Sequence, residues 1–193
     1  MNDNAYIEGR KYEREDFRTN PPPVAEYEQC DFINCDFSGS KLTSNIFIDC
    51  RFTDCNLSLA VIEGTALRNV TFVNCKMLGL RFYHADPFLL SLRFDRCTLD
   101  CSSFFKMKLK KTVFTKTSLR ELDLTNADLT QAVFDQCDLD KTLFDQTVLH
   151  KADLRTSFNF QIDPDNNQVK KMKVAVNGLP GLLGKYDLDI HAV

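Results

Sequence analysis

Residues 112–134 read TVFTKTSLRELDLTNADLTQAVF, and a large apolar residue stands at every fifth position of this stretch from Phe114 to Phe134. Buried residues recur at steps of three and four in an α-helix, and at steps of two in a half-buried strand. A step of five fits neither element, so the chain must turn at a fixed short interval and bring the same side back to a core. A short internal repeat of this kind predicts a solenoid.

The same period runs through most of the chain in two registers. The first run is Phe32, Phe37, Leu42, Phe47, Phe52, Leu57, Ile62, Leu67, Phe72, Met77 and Phe82. The second run is Phe94, Leu99, Phe104, Leu109, Phe114, Leu119, Leu124, Leu129, Phe134, Leu139, Phe144, Leu149 and Leu154. A small or apolar residue stands two positions before each of these, and Asp or Asn often stands directly before it. One large and one small side chain per unit is too little for a stable core, so the units must stack.

The stretches Ala127-Asp128-Leu129-Thr130-Gln131 and Ala152-Asp153-Leu154-Arg155-Thr156 resemble the A(D/N)LXX motif of the pentapeptide-repeat family. The resemblance covers residues 28–158. It implies an all-β solenoid, a right-handed quadrilateral β-helix in which four units form one square coil. Coils stacked about 4.8 Å apart would pair their backbone groups. With twenty residues a coil, the repeats form about six coils, and Phe32, Phe52 and Phe72 form one interior column.

This pattern divides the chain into three parts. Residues 28–158 are predicted as the β-helix, with registers 28–84 and 90–158. Residues 1–27 are predicted as an N-terminal cap or partial first coil, whose phase Pro21, Pro22 and Pro23 break. Residues 159–193 are predicted as a C-terminal module of strand, short helix and strand, with a basic strand at 169–176, the helix within 178–186 and the second strand at 187–190.

The two registers meet at an interruption, residues 83–93, which holds two residues more than the repeat requires. Proline supplies no N–H for pairing and disfavours a helical residue before it. A bulge or short loop is therefore expected at Asp86, Pro87, Phe88 and Leu89. It is either a kink between two registers or a protruding contact loop, since loops commonly carry recognition.

Seven of the eight cysteines stand in the small inward position of a repeat: Cys30, Cys35, Cys50, Cys55, Cys75, Cys97 and Cys137. We interpret them as small buried hydrophobic residues. An intracellular chain keeps such thiols reduced, and zinc sites use closer pairs around tight turns. Only Cys101 falls outside this position, and it is expected to be accessible.

The sequence contains no pattern typical of an active site. The three histidines belong to no triad, dyad or metal-ligand spacing, and there is no glycine-rich phosphate loop. Most aspartates stand next to a buried leucine at a turn, where an Asp side chain bonds nearby backbone groups. We therefore expect no enzyme activity, no metal and no cofactor.

Charge is nearly balanced over the whole chain, at −3, but it is unevenly distributed along it. Residues 106–120 carry six cations and no acid, whereas residues 121–153 carry eight acids and two lysines. One interpretation is an ordinary solvated surface. The other is an acidic face that imitates the phosphates of duplex DNA, with Asp135, Asp138, Asp140 and Asp145 as candidates. The balance favours no direct nucleic-acid binding.

No stretch is apolar for long enough to cross a bilayer, and Met1-Asn2-Asp3-Asn4 lacks the regions of a signal peptide. The expected compartment is the cytoplasm.

The tail is similar to the C-terminal module of Qnr-type and microcin-immunity pentapeptide proteins, where a helix and an apolar segment join two rods end to end. The resemblance implies a homodimer through Leu179, Leu182, Leu183, Tyr186, Leu188 and Ile190. The alternative is a monomer in which the tail only caps the last coil. The resemblance further implies a protein that interacts with a type II topoisomerase, DNA gyrase, in quinolone-resistance or toxin-immunity fashion. The alternative function is an interaction scaffold without a topoisomerase contact.

Overall fold

The computed structural model describes residues 5–191 as a parallel β-solenoid with four faces, which confirms the predicted β-helix. Partners in successive coils are twenty residues apart, as in the pair Phe32 and Phe52. We number the faces in chain order by the columns they contain: face one Phe32, face two Phe37, face three Leu42 and face four Phe47. The ends of the two predicted terminal parts, residues 1–4 and 192–193, lie outside the described residues.

Strands form on two of the four faces. Face four carries β1 (Ala5–Glu8), β3 (Ala25–Glu28), β5 (Ile46–Ile48) and β7 (Ala66–Arg68) in one parallel sheet. Face one carries β2 (Lys11–Glu13), β4 (Asp31–Ile33), β6 (Arg51–Thr53), β8 (Val70–Val73), β9 (Leu92–Asp95), β10 (Val113–Thr115) and β11 (Val133–Asp135) in a seven-stranded parallel sheet. On faces two and three the coils are joined by single bridges, such as Asp36 to Asn56 and Ser103 to Asp123.

Most corners are made by the residue two positions after a large apolar one, in the left-handed conformation. Glycine stands at a few corners, but Asp54, Leu59 and Lys106 stand at others with φ of 55°, 57° and 58°. Most side chains disfavour this region. The corner amide is bonded to the next coil, as in the donation from Asp54 N to the carbonyl of Val73 at 3.0 Å. The stacking of coils therefore holds a turn that the local sequence would not choose.

A column of aromatic rings fills face one from coil to coil, as the column Phe32, Phe52 and Phe72 predicted. Neighbouring rings stack with centroids 4.7 to 5.5 Å apart along Tyr12, Phe32, Phe52, Phe72, Phe94, Phe114 and Phe134. Rings of neighbouring faces meet these edge-on, as Phe37 meets Phe32. Offset stacks and edge contacts are the favourable geometries for aromatic pairs, so the interior is a packed solid rather than a channel.

The small inward position donates hydrogen bonds as well as filling space. The Cys55 thiol lies 3.3 Å from the carbonyl oxygen of Phe32, in the preceding coil, and Cys75 lies 3.4 Å from that of Phe52. Thr147 fills the same position with its hydroxyl, 2.9 Å from the carbonyl of Leu124. The interpretation of these cysteines as simple hydrophobes is therefore incomplete, because each thiol is also a weak donor to a buried carbonyl.

The predicted interruption is present. Across it, residues paired in successive coils are twenty-two positions apart in the sequence instead of twenty. Phe52 pairs with Phe72, but Phe72 pairs with Phe94. A 3-10 helical turn covers Phe82–His84. Asp86 still bridges to Ala66 in the normal register, so the two extra residues lie between Pro87 and β9.

The partial first coil, one of the two alternatives predicted for the N-terminal part, is present. Ile7 pairs with Tyr27 in the sheet of face four, so residues 5–27 form stacked coil rather than a separate cap. The prediction that the three prolines break the phase was wrong: Pro22 is buried twenty residues before Leu42. Proline is accommodated there although it supplies no N–H; at the same position one coil later, Leu42 N donates to the carbonyl of Val61 at 2.8 Å.

The rod ends later than the sequence indicated. Bridges join Val148 to Gln168 and Asp153 to Lys173. Residues 169–176 therefore continue the coil in place of the predicted strand, with Val169 and Val174 packed against the core. A 3-10 turn (Val176–Gly178), the helix α1 (Pro180–Leu183) and a second 3-10 turn (Gly184–Tyr186) follow. Residues 187–191 form no strand, contrary to the expectation for 187–190.

Candidate binding surfaces

The described part of the chain contains no recognisable reaction centre. Among residues 5–191 no three His, Cys, Asp or Glu side chains are grouped closely enough to hold a metal ion. Burial raises the pKa of Cys50 and of Cys137 to about 12, so these thiols are neutral at physiological pH. The exposed thiol of Cys101 also has a raised pKa, through partial desolvation and then the nearby Glu121 carboxylate. A neutral thiol is a poor nucleophile.

The aspartates that precede buried leucines form turns, as predicted. The Asp123 carboxylate accepts the amide of Thr125 at 2.9 Å, and Asp128 accepts that of Thr130 at 3.0 Å. The same contact links Asp86 to the amide of Phe88 at 3.0 Å. These carboxylates bond the backbone at the corners, so they are structural groups of the repeat.

Acidic side chains gather on two adjacent faces of the C-terminal coils. Faces two and three, over residues 117–126, 137–146 and 157–166, carry seven carboxylates and two cations. The carboxylates are Glu121, Asp123, Asp138, Asp140, Asp145, Asp163 and Asp165. Of the four residues predicted to form an acidic face, Asp138 and Asp140 lie on face two, Asp145 lies on face three and Asp135 lies apart on face one. The structure therefore brings three of them to one side of the rod and leaves out the fourth.

These four aspartates differ in how far they are neutralised. Asp138 is buried, which alone would raise its pKa, but hydrogen bonds from Asn159 and Arg120 outweigh burial and lower it. The guanidinium of Arg120 lies 2.6 Å from Asp138 Oδ2. Asp145 accepts from Asn166, and Asp135 accepts the Thr156 hydroxyl at 2.8 Å. Asp140 accepts no side-chain hydrogen bond within residues 5–191, so it is the freest carboxylate of the four.

Lysines gather on face four of the same coils, and we call this surface the lysine face. Its four stacked segments, 107–111, 127–131, 147–151 and 167–171, hold six lysines and a single acid, Asp128. The lysines are Lys108, Lys110, Lys111, Lys151, Lys170 and Lys171. Lys110 pairs with Asp128 at 3.2 Å. The sequence, read linearly, separated a basic stretch from an acidic one, whereas the fold separates the two charges by face.

The predicted contact loop forms one wall of an open groove beside the lysine face. Phe88 and Leu89 are about two-thirds exposed, and Pro87 is exposed with them. The groove holds about 590 Å³. We call it the interruption groove. The residues that line it are Tyr83, Ala85, Pro87, Phe88, Leu90, Phe105, Lys106, Met107 and Lys108. The Asp86 carboxylate bonds the backbone of the turn. Of the four predicted loop residues, Pro87 and Phe88 line the groove, whereas Asp86 and Leu89 do not.

The tail covers the last coil and leaves apolar side chains in water. Phe160 is buried beneath Gly181, whose carbonyl accepts the amide of Ile162 at 2.8 Å. Lys185 ties the tail to the rod through Asp163 at 2.7 Å and through Asp165. Of the residues predicted for the cap or dimer contact, Leu182 and Leu183 are half-buried, while Leu179, Tyr186, Leu188 and Ile190 are exposed. No helix within residues 5–191 has the length and apolar composition that crossing a bilayer requires.

The fold and its surfaces together define a β-solenoid built from five-residue repeats. Its core is solid, and its charged and exposed apolar side chains lie on the outer faces and the tail. Residues 25–88 match the family model of a pentapeptide repeat region, and residues 97–136 and 127–157 match that of pentapeptide repeats. The chain belongs to the pentapeptide-repeat family. No curated protein sequence matches it significantly.

Solved structures of the same fold include two trypsin-treated forms of QnrB1, a plasmid-mediated fluoroquinolone resistance protein. The first has a TM-score of 0.62 and 17% identity, and the match covers 98% of this chain and 100% of that one. The second has a TM-score of 0.60 and 17% identity, with coverage of 97% and 98%. At this identity the likeness establishes the fold alone.

Proposed function

We propose that this protein is a non-catalytic binding rod whose acidic side imitates DNA and contacts a type II topoisomerase, DNA gyrase, in quinolone-resistance or toxin-immunity fashion. The observation that carries the proposal is the gathering of carboxylates on faces two and three while the lysines lie on face four. A rod with one acidic side presents a phosphate-like field to a DNA-binding groove.

The charge density of this side is of the order that DNA presents. Three coils span about 14 Å at about 4.8 Å each, so seven carboxylates place one charge about every 2 Å. Duplex DNA has one charge per about 1.7 Å of its axis. Arg120, Lys141 and the tail residue Lys185 reduce the net density to one charge per about 3.5 Å. The acidic side is thus a weaker field than DNA, but one of the same order.

The likeness to QnrB1 supports a quinolone-related role at the level of fold. A gyrase partner places the protein in the cytoplasm, and the acidic side needs no direct contact with nucleic acid. The second candidate function is a scaffold that binds other proteins without touching a topoisomerase. The exposed apolar residues of the interruption groove favour this alternative, because they offer a contact that DNA mimicry does not use.

A gyrase supercoiling assay with a quinolone separates the two functions. We expect the wild-type protein to restore supercoiling in the presence of the drug and Asp140→Lys to restore less of it. Lys41→Glu, a charge change of the opposite sign outside the acidic side, is the control and should behave as the wild type. No effect of the wild-type protein at molar excess would remove the topoisomerase proposal and leave the scaffold.

We propose in addition that two rods associate end to end through the tail. Leu179, Tyr186, Leu188 and Ile190 expose apolar side chains in the tail, and such exposure is typical of an interface. Deleting the tail would uncover Phe160, so substitution is the cleaner test. Light scattering should give twice the chain mass for the wild type and the single mass for Leu188→Glu with Ile190→Glu. The single chain mass for the wild type would contradict the dimer and leave a monomer cap.

A further inference from the structure

We propose that the interruption groove and the neighbouring lysines bind an acidic segment of a partner protein, which inserts a large apolar side chain beside Phe88. The inference rests on the proposal that the rod works by binding proteins, but it requires no topoisomerase. It concerns face four and its corner with face three, away from the acidic side.

The groove offers an apolar floor that no part of the described chain covers. Phe88 is 62% exposed, although a large aromatic residue in water has a substantial hydrophobic cost. Pro87, Leu90 and Met107 extend the floor with aliphatic surface. A groove of about 590 Å³ is within the size range of sites that hold small ligands or side-chain anchors. An inserted Phe or Leu side chain would remove apolar surface from water on both partners.

Cations stand on both sides of this floor. The Arg68 guanidinium lies 5.4 Å from the centre of the Phe88 ring. Its Nε is buried and has no hydrogen-bond partner within residues 5–191, and such a group is costly to leave unpaired. On the other side, the lining residues Lys106 and Lys108 form no ion pair in the described part of the chain. Carboxylates that flank the inserted residue would meet both sets of cations.

The geometry favours a peptide over a single-stranded nucleic acid. Bases bind by stacking on open aromatic faces. The Arg68 guanidinium lies over one face of the Phe88 ring, and Lys106 Nζ lies over the Phe105 ring, 4.8 Å from its centre. The edge of Tyr83 meets Phe105 at 6.3 Å. One face of each of these two rings is therefore already occupied by a cation, while the space between the side chains remains open to a side chain entering end-on.

Because the partner is unidentified, the probe is a displayed library of random peptides about twelve residues long, selected on the full-length wild-type protein and on a Phe88→Ala, Lys108→Glu variant. We expect the wild-type protein to enrich peptides in which Asp or Glu surrounds a Phe, Leu or Trp, and the variant to lose this enrichment. Enrichment of basic peptides, or the same peptides on both proteins, would overturn the proposal.

Fluorescence anisotropy of the most enriched peptide supplies the affinity. Each of Phe88→Ala and Lys108→Glu should weaken binding by about tenfold, the loss typical of an interface anchor. The matched controls Phe158→Ala, an exposed aromatic on face two, and Lys41→Glu should bind as the wild type. Equal weakening by the controls would contradict the assignment to this groove. Tighter binding of a single-stranded oligonucleotide than of any peptide would replace the protein partner with a nucleic acid.

Both groove substitutions are at exposed side chains, so the variants should fold, and an unchanged thermal unfolding curve verifies it. The result is also independent of the gyrase assay. Peptide binding without any effect on gyrase would support this surface and the scaffold function together. An effect on gyrase that survives Phe88→Ala and Lys108→Glu, without peptide binding, would overturn this inference and leave the proposed function intact.

Discussion

The aromatic column of face one makes a quantitative prediction for Phe94→Ala. Phe94 is fully buried, and its ring stacks on Phe72 at 5.5 Å and on Phe114 at 5.1 Å. The edges of Phe82 and Phe104 contact it at 5.9 and 6.0 Å. Phe→Ala in a packed core costs about 3–5 kcal/mol. Since four rings lose a partner and rigid coils collapse poorly into a cavity, we expect the upper end, about 4–5 kcal/mol.

The measurement is urea unfolding followed by circular dichroism. With an m-value of about 2 kcal/mol/M, the loss lowers the midpoint by about 2 M. Phe94→Leu should lose less than half as much, because leucine already fills the same column at Leu154. Phe88→Ala is the matched control: the same atoms are removed from an exposed position, and the unfolding free energy should change by less than about 0.5 kcal/mol.

A loss below about 1 kcal/mol for Phe94→Ala, or equal losses for Phe94→Ala and Phe88→Ala, would refute the reasoning from a solid ring column. A fall in the m-value together with the midpoint would carry further information. It would indicate that the coils on the two sides of the cavity unfold separately, which quasi-one-dimensional proteins permit.

The remaining predictions concern the small inward position of the repeat, the tail that covers the last coil, and the carboxylate of Asp153. Cys55→Ser should keep the unfolding midpoint near wild type, because a hydroxyl also donates to the carbonyl that the thiol contacts, whereas Cys55→Val should lose about 1–3 kcal/mol. In Gly181→Ala the new Cβ would lie 2.2 Å from the Phe160 carbonyl oxygen, so hydrogen exchange of the tail should rise; Gly184→Ala, with open space around it, should leave exchange unchanged. The pKa of Asp153 is lowered, chiefly by its arginine neighbour; its stabilising contribution is therefore present above the unfolded carboxyl pKa and lost as pH falls. Asp153→Asn should lower the midpoint at neutral pH, and the difference from wild type should close below about pH 3; a constant difference would contradict the ion pair.

The period of the repeat could be read from the sequence because each large residue must return to one interior. Burial is a property of side-chain type and spacing, so Leu129 and Phe134 could be assigned to the core without coordinates. The break between Phe82 and Phe94 could be predicted for the same reason, because their spacing of twelve residues is not a multiple of five. The turn role of Asp123 and Asp128 also followed from local chemistry.

The ends of the rod were harder to predict, because their apolar residues are fewer and smaller. Pro22 looked like a disruption, but its ring takes the same buried position that Leu42 takes one coil later. Val169 and Val174 looked like a strand, yet the coil above them supplies the register that their own sequence leaves open. The left-handed conformation of the corners could not be predicted from the sequence either. Leu59 and Lys106 adopt it only because hydrogen bonds between coils hold them there.

The order of residues alone thus determined that the chain winds about a sealed apolar axis, since a period of five admits no other way to bury its large side chains. Only the tertiary structure decided what the surface carries. Charged residues from nearby parts of the sequence, such as Lys111 and Glu121, lie on different faces, whereas the more distant pair Lys111 and Lys151 lies on the same face. That sorting depends on the coil length and on the two-residue shift at the interruption, and both are properties of the stacked backbone rather than of any one repeat.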